Sequence, residues 1–388
     1  MIVSRLWSSK VHPSKTCPSN MKATSLAFGF RALAFLSFLL LWGFYLLNGA
    51  LKANVLAPLN GRLNEDIPLK NDYTGIFIVD YPIALLVAFF HFGTNGSDEG
   101  FQLLVFEGYS TLESSFVWVY AEMMRPGSKP WTIATPLLFA TLSQFLGGAI
   151  SLPLYYGYHI LWTDGADILR VRDRDAAMAL PFSFLLGAIL PAILACAPTW
   201  NGPDSRSPEV HQTYMAIFQV DPLWVTLLHT LLPKLFCWLR ANENGDRSQA
   251  PKTAHMWIRA SYLLAAVSSA MGRIYTVARL YMSSEEGTNL ARMRIPSPPQ
   301  GPANGLPDVL ARGTFLYLQY DVLIFDFASL SWAFLLLLRM SNRPKASNLT
   351  LAFIMLIGYL TIGAGATVSL ALYVRESLLL EKGKGTIE

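Results

Sequence analysis

Four long stretches without a charged residue constrain this chain more than any other feature. Ala32 to Leu51, Trp131 to Thr163, Ala176 to Trp200 and Leu349 to Val374 contain no Asp, Glu, Lys or Arg. A helix needs about 20 apolar residues to cross the hydrocarbon core of a bilayer, and each stretch reaches that length. Four further stretches are long enough but carry ionisable side chains. Ile76 to Phe92 holds Asp80, and Phe101 to Met124 holds Glu107, Glu113 and Glu122. Trp257 to Met282 holds Arg259, Arg273 and Arg279, and Gly313 to Leu338 holds Asp321 and Asp326. Pro222 to Trp238, with Lys234, is a shorter ninth candidate that either spans or lies at the interface. The expected fold is all-α, a polytopic transmembrane helical bundle of about eight or nine spans.

Composition agrees with this reading. Of 388 residues, 53% are hydrophobic and 14% charged, too few charges to coat a soluble body of this size. The net charge of +4 is slight and the basic residues form no stripe, so nucleic acid is not an expected partner. Cys17, Cys196 and Cys237 are few and far apart, a pattern that suits neither a disulfide framework nor a metal site. A basic leader, residues 1–24, contains Arg5, Lys10, Lys15 and Lys22. It reads as the flank of an anchor and not of a cleaved signal, because the apolar segment after it exceeds a signal h-region. The leader places the N-terminus in the cytoplasm by the positive-inside rule, although the later loops are nearly balanced. Asn95-Gly96-Ser97 and Asn348-Leu349-Thr350 are glycosylation sequons of a kind that chance often produces.

The expected organisation is this leader, a helical membrane domain over 25–374 and a polar tail over 375–388. Residues 283–312 form the one long connection, with Pro296, Pro298, Pro299, Pro302 and Pro307 among its residues. Proline at that density predicts an extended or mobile link and not a helix.

Ionisable residues inside a span cost a few kcal/mol and default to a functional role with a partner to be named. At 100° per residue, Glu107 and Glu113 stand about 120° apart, and Glu113 faces away from Glu122, so the three cannot line one surface. Glu122 lies three residues before Arg125, where a local ion pair competes with a catalytic role. Asp321 and Asp326 are about 140° apart on one helix; each either faces an interior cavity or pairs with Arg273 or Arg279. Tyr317, one turn before Asp321, is placed to donate to its carboxyl, and Trp332 adds an aromatic wall. Asp80 is close to its helix start, where capping competes with chemistry. His91 and His159 read as satisfied helix-end histidines.

Neither a Gly-x-Ser-x-Gly elbow, a His-Glu-x-x-His, a P-loop nor a Gly-x-Gly-x-x-Gly helix start occurs, so hydrolase, zinc protease and nucleotide readings lack support. Asn71-Asp72-Tyr73-Thr74-Gly75 begins like a prenyltransferase aspartate motif but has glycine where the next aspartate belongs. No Asp-Asp-x-x-Asp is present to clamp magnesium diphosphate. No metal or cofactor is expected. Isolated acids in a chain that is 13% aromatic remain. A carboxyl in an apolar pocket can hold its proton as a general acid, and aromatic faces stabilise cations. A secondary transporter or receptor-like protein uses the same ingredients for protons or a cationic ligand.

Asp72-Tyr73-Thr74-Gly75-Ile76 with Asp80, Glu122-x-x-Arg125-x-Gly127, Gln144, Pro153-Leu154-Tyr155, Tyr320-Asp321 and Trp332 together resemble a family of fungal integral-membrane proteins. That family includes the terpene cyclases of ascofuranone and ascochlorin biosynthesis, and the resemblance runs from about Asn71 to Val374. It implies a cyclase without diphosphate motifs, which opens a terminal epoxide on a farnesyl-type meroterpenoid by acid and closes a ring. The expected substrate is a hydrophobic epoxidised prenylated aromatic and the expected site a lipid membrane, that of the endoplasmic reticulum. From the residues and these matching positions, Asp80, Glu122 or Asp321 is expected as acid and Arg125 as its orienting partner. Glu107, Asp326, Tyr155, Tyr317 and Trp332 are expected to contact substrate.

Overall fold

The computed structural model describes residues 19–64, 66–125, 134–163, 171, 173–196, 202–240, 250–283, 288–299, 301–340 and 345–382. All regular elements among the described residues are helices. Residues 1–18 of the expected leader lie outside them, and α1 (Ser19–Leu47) begins before the leader was expected to end.

Glycines at positive φ cut the long apolar stretches into shorter helices. Gly49, at φ +83°, ends α1 and turns the chain into α2 (Ala50–Asn60). The stretch Trp131 to Thr163 is divided at Gly147, φ +100°, into α5 (Ala134–Leu146) and α6 (Gly148–Trp162). Likewise Gly363, φ +86°, separates α14 (Lys345–Ile362) from α15 (Ala364–Lys382). Only glycine adopts this backbone without steric cost, so each break is written at a single residue.

Among the described residues, five helical stretches are long and apolar enough to cross a membrane. They are Lys22–Leu47 within α1, α3 (Phe77–Thr94), Arg174–Cys196, α10 (Asp221–Leu239) and α13 (Gly305–Met340). The third comprises α7 (Arg174–Phe184), a π turn at Leu185–Ile189 and α8 (Leu190–Cys196). The remaining expected spans differ for two reasons: the glycine breaks, and the charges on α4 (Glu99–Met123) and α11 (Ala250–Met282). The doubtful segment from Pro222 to Trp238 is a continuous helix, α10, with most of its surface exposed.

Helix α4 is the axis of the molecule. Of its 25 residues 21 are buried, and they lie on every side of it. A helix apolar on one stripe needs one neighbour; one enclosed all round must be wrapped. α4 packs on α3, α5, α7, α11, α13 and α15, and α13 in turn packs on α1, α2, α6 and α15. The short helix α9 (Pro208–Gln219) closes over α3 and α8.

Two boundaries differ from expectation. In the connection 283–312, Leu290–Arg294 forms a one-turn helix, α12, and α13 starts at Gly305. Pro307 falls in the first turn of α13, where its missing N–H has no helical partner to lose. At the other end, α15 continues to Lys382, and Arg375 and Glu376, assigned by sequence to a polar tail, are buried.

Where α13 crosses α2, a Cβ added at Gly313 would overlap the Ala50 Cβ. Gly313→Val is expected to destabilise the fold by about 1–3 kcal/mol through overpacking. A lowered thermal midpoint in detergent checks this, and an unchanged midpoint contradicts the close approach.

Candidate active site

The interior acids sort by whether a cation meets them. Glu122 of α4 accepts from Arg125 Nε at 2.9 Å and from Arg375 at 2.7 Å, and its other oxygen faces His159 Nε2 at 3.1 Å. Arg125 also donates to Glu376 at 2.5 Å, and His255 Nδ1 lies 3.1 Å from the same carboxyl. Two carboxylates and two guanidiniums thus balance in one buried cluster. Trp332 Nε1 donates to His159 Nδ1 at 3.2 Å and stacks on Tyr156 at 4.5 Å between centroids, with the Tyr155 ring packed edge-on beside it. His159 is held on both nitrogens, as the satisfied-histidine reading expects.

A second cluster repeats the pattern. Glu107 of α4 pairs with Arg273 at 2.8 Å and closely with Arg294, which reaches Asp326 at 3.0 Å. Asp326 therefore takes the ion-pair alternative, but with Arg294 from the proline-rich connection in place of Arg273 or Arg279. Arg279 is engaged by Glu99 at 2.5 Å.

Asp80 sits at the entrance of α3 and seals the turn before it. Its carboxylate accepts from the Thr74 N–H and hydroxyl, both at 2.8 Å, and from the Gly75 N–H at 2.9 Å. The Asp72 to Ile76 motif and Asp80 form one turn and its cap.

Asp321 differs from all of these. It lines a cavity walled by Trp42, Tyr45, Phe89, Phe90, Tyr109, Leu112, Val322, Phe325 and neighbouring residues of α1 to α5 and α13. Among the described residues no ion pair reaches it. Its Oδ1 accepts from the Ala149 N–H at 2.7 Å, at the start of α6. The break at Gly147 produces this contact: an N-terminal turn has N–H groups without helical partners, and they point at an anion site. A Cβ at Gly147 would lie 2.7 Å from that oxygen, so only glycine lets the turn approach. Tyr317 does not donate to Asp321 as expected. Its hydroxyl donates at 2.6 Å to the Leu146 carbonyl, which the same helix break leaves free, and Trp42 Nε1 joins it at 3.2 Å. Tyr45, Phe89 and Tyr317 meet edge to face beside the carboxyl, with centroids 5.2 to 5.7 Å apart.

The chain matches the CtvD domain over residues 25–380. It belongs to the CtvD-domain family. Its relatives include the terpene cyclase DEP1 of Fusarium langsethiae, 27% identical over 362 residues, which covers 87% of this chain and 94% of the relative. Terpene cyclase alnG of Emericella nidulans is 23% identical over 332 residues, 82% of this chain and 85% of its own. Terpene cyclase ascI of Acremonium egyptiacum is 23% identical over 304 residues, 75% of this chain and 76% of its own. No solved structure matches. The resemblance seen in the sequence is thus a family membership.

Within this CtvD-domain fold the expected site residues divide. Asp321 and Tyr317 share the cavity, together with Gln144 from the matching motifs. Glu122, Arg125, Tyr155 and Trp332 form or flank the first ion cluster, while Glu107 and Asp326 belong to the second. Sequence reasoning missed Arg294, Arg375 and Glu376, because the connection and the tail were taken to be outside the bundle. It missed Asp221 as well, at the head of the ninth segment.

Glu122→Gln removes one charge from the first cluster and leaves two buried guanidiniums short of a partner. Breaking such a group costs about 3–5 kcal/mol, so the variant is expected to lose most of its folded, detergent-extractable fraction. Wild-type stability in Glu122→Gln would contradict a structural role for the cluster.

Proposed function

We propose that this member of the family is a membrane-bound terpene cyclase of fungal secondary metabolism, acting on an epoxidised farnesyl-type chain carried by an aromatic. Asp321 is the acid. The observation that carries this reading is its carboxyl at the wall of an aromatic, apolar cavity, with no ion pair to it among the described residues. The other acids expected for this role are spent: Asp80 on a turn, Glu122 in an ion cluster.

The reaction begins when the Asp321 O–H gives its proton to the epoxide oxygen as the C–O bond at the more substituted carbon breaks. The electron pair stays on oxygen, which becomes a hydroxyl, and the carbon becomes cationic. A neighbouring alkene attacks it, a C–C bond forms and the charge moves along the chain. Asp321, now a carboxylate, keeps the Ala149 N–H as donor, so the anion is stabilised as it forms. The ring faces of Tyr45, Phe89 and Tyr317 offer their negative quadrupoles to the migrating cation. Apolar walls exclude water, which would otherwise capture it as a diol. The net change is isomerisation.

The five apolar helices are joined in this reading by α4, α11 and the broken pairs α5/α6 and α14/α15 to make a multi-pass bundle of about eight or nine crossings in the endoplasmic reticulum membrane. The lipid supplies the hydrophobic substrate from its own phase. The transport or receptor alternative draws no support from the relatives.

Expression in a host supplied with the epoxide is expected to yield cyclised product. Unchanged epoxide or diol alone, with the protein present, overturns the reading. Asp321→Asn keeps the shape and the bond from Ala149 but removes the proton, and turnover is expected to fall about 10²- to 10⁴-fold at unchanged folded yield. Full turnover in that variant removes Asp321 from the mechanism.

A further inference from the structure

The cavity that Asp321 lines measures about 140 Å³. Sites that enclose a drug-sized ligand run to about 300–1,000 Å³, and a farnesyl-type chain with an aromatic attached is a ligand of that size. This cavity therefore houses the reacting end of such a molecule and leaves the remainder to be housed elsewhere.

A second cavity, of about 360 Å³, lies on the next side of α4. It is enclosed by α4, by the π turn with α8, and by α11. Tyr109 is common to the two linings, so its side chain is the partition between the cavities. The Tyr109 ring packs on Phe218 at 4.5 Å and on Phe90 at 5.4 Å between centroids. Its hydroxyl has no hydrogen-bond partner among the described residues, so packing alone holds the partition.

Close helix contacts fix the walls of this second cavity. At the π turn, a Cβ added to Gly187 would stand 2.8 Å from the Val225 nitrogen of α10, and one added to Gly272 of α11 would stand 2.6 Å from the Ser110 side chain of α4. The helices are thus locked at these two edges while the cavity lies between them. Its rim residues Leu185, Ile193, Val267 and Met271 are exposed, so it opens at an apolar part of the surface. In the proposed membrane setting that opening faces lipid.

Glu113 is the one carboxyl in this lining. It is 1% exposed, and among the described residues no ion pair reaches it and neither of its oxygens has a hydrogen-bond partner. A buried acid without a counter-charge is held neutral, and a neutral carboxyl offers one O–H donor and a carbonyl acceptor. Those two groups, set in apolar walls, suit a hydroxyl carried on an aromatic ring.

We propose that the second cavity is the binding chamber for the aromatic head of the substrate, and that the prenyl chain runs from it past Tyr109 to bring its epoxide end to Asp321. The proposal rests on the cyclase reading above and deepens it. The substrate enters from the lipid between α8 and α11, and the Tyr109 side chain turns aside to admit the chain. Glu113 hydrogen-bonds the ring hydroxyl and anchors the head. With the head fixed in one cavity and the acid in the other, the spacing between them selects the chain length that places the epoxide at Asp321.

Binding is read apart from turnover, in membranes holding the full chain, with a prenyl arene that lacks the epoxide and carries a diazirine on its ring. Irradiation is expected to label α8 or α11 at the chamber, and excess arene without the diazirine is expected to displace the label. Label confined to α1, α3 or α13 at the Asp321 cavity overturns the proposal. So does label that excess arene leaves in place, the result expected if a bilayer lipid fills the chamber. Ser268→Trp and Ala192→Phe fill the chamber from α11 and α8. Each is expected to lower kcat/KM for the full epoxide at least about ten-fold more than for the same epoxidised chain without its arene. Equal losses on the two substrates in folded variants overturn the proposal, and labelling of the wild type decides it where the variants fail to fold. Wild-type membranes that label as expected but consume no epoxide overturn the cyclase reading and leave the chamber standing. Membranes that cyclise the epoxide but label only at the Asp321 cavity overturn the chamber and leave the cyclase reading standing.

Discussion

A charge enclosed in a protein interior must find a counter-charge within a few ångströms or give up being a charge, and the layout of this molecule follows from that rule. α4 carries Glu107, Glu113 and Glu122 at spacings that send them to three different sides, and it is buried on all of them. Each side consequently became a separate polar problem with its own neighbours. Glu122 drew in Arg125 and Arg375, Glu107 drew in Arg273 and Arg294, and Glu113 met another acid.

The first two solutions are structural, and they recruit segments that hydropathy alone would leave outside. Arg375 and Glu376 extend α15 into the bundle because two charges on α4 require them. Arg294 pulls the turn of α12 down onto α4 and α13, and Gln319 Nε2 holds that turn by the Arg292 carbonyl at 2.6 Å and the Ile295 carbonyl at 3.1 Å. The connection is thereby part of the core, with Met293 fully buried. Matching the charges so completely on these two sides also isolates the cavity, where the matching stops.

How much of this was legible in the sequence depended on the kind of signal. All-α architecture, and helices long and apolar enough to cross a membrane, follow from long charge-free stretches. The angular argument for the three glutamates held because helix geometry is rigid. What could not be read was which side of each helix faced which neighbour: Glu122 and Asp321 look alike as isolated acids in apolar runs, and only packing shows one clamped and the other free. The helix breaks were missed because Gly147 and Gly363 sit inside uninterrupted apolar runs, where glycine is common and positive φ leaves no mark in composition. Asp80 was ambiguous for the opposite reason. Thr74 and Gly75 precede it at a spacing suited to a turn cap, which was a visible signal once capping was weighed.

In the proposed cyclase, the break at Gly147 joins the fold to the chemistry. An acid that starts a cationic cascade faces opposing demands, since apolar surroundings keep its proton in place beforehand while the anion needs donors afterwards. An unbroken helix from Ala134 to Trp162 would bond its own N–H groups internally and offer Asp321 only the apolar wall. Interrupting the helix frees the first turn of α6 and aims it at one oxygen of the carboxyl, while the aromatic rings keep the rest of the surroundings dry. The freed carbonyl at the other side of the break is taken by Tyr317 and Trp42, which orients two of those rings. One glycine thus sets the donor, the wall and their separation. Its replacement by any residue with a Cβ would disturb all three together, because the added carbon would occupy the space between the turn and the acid.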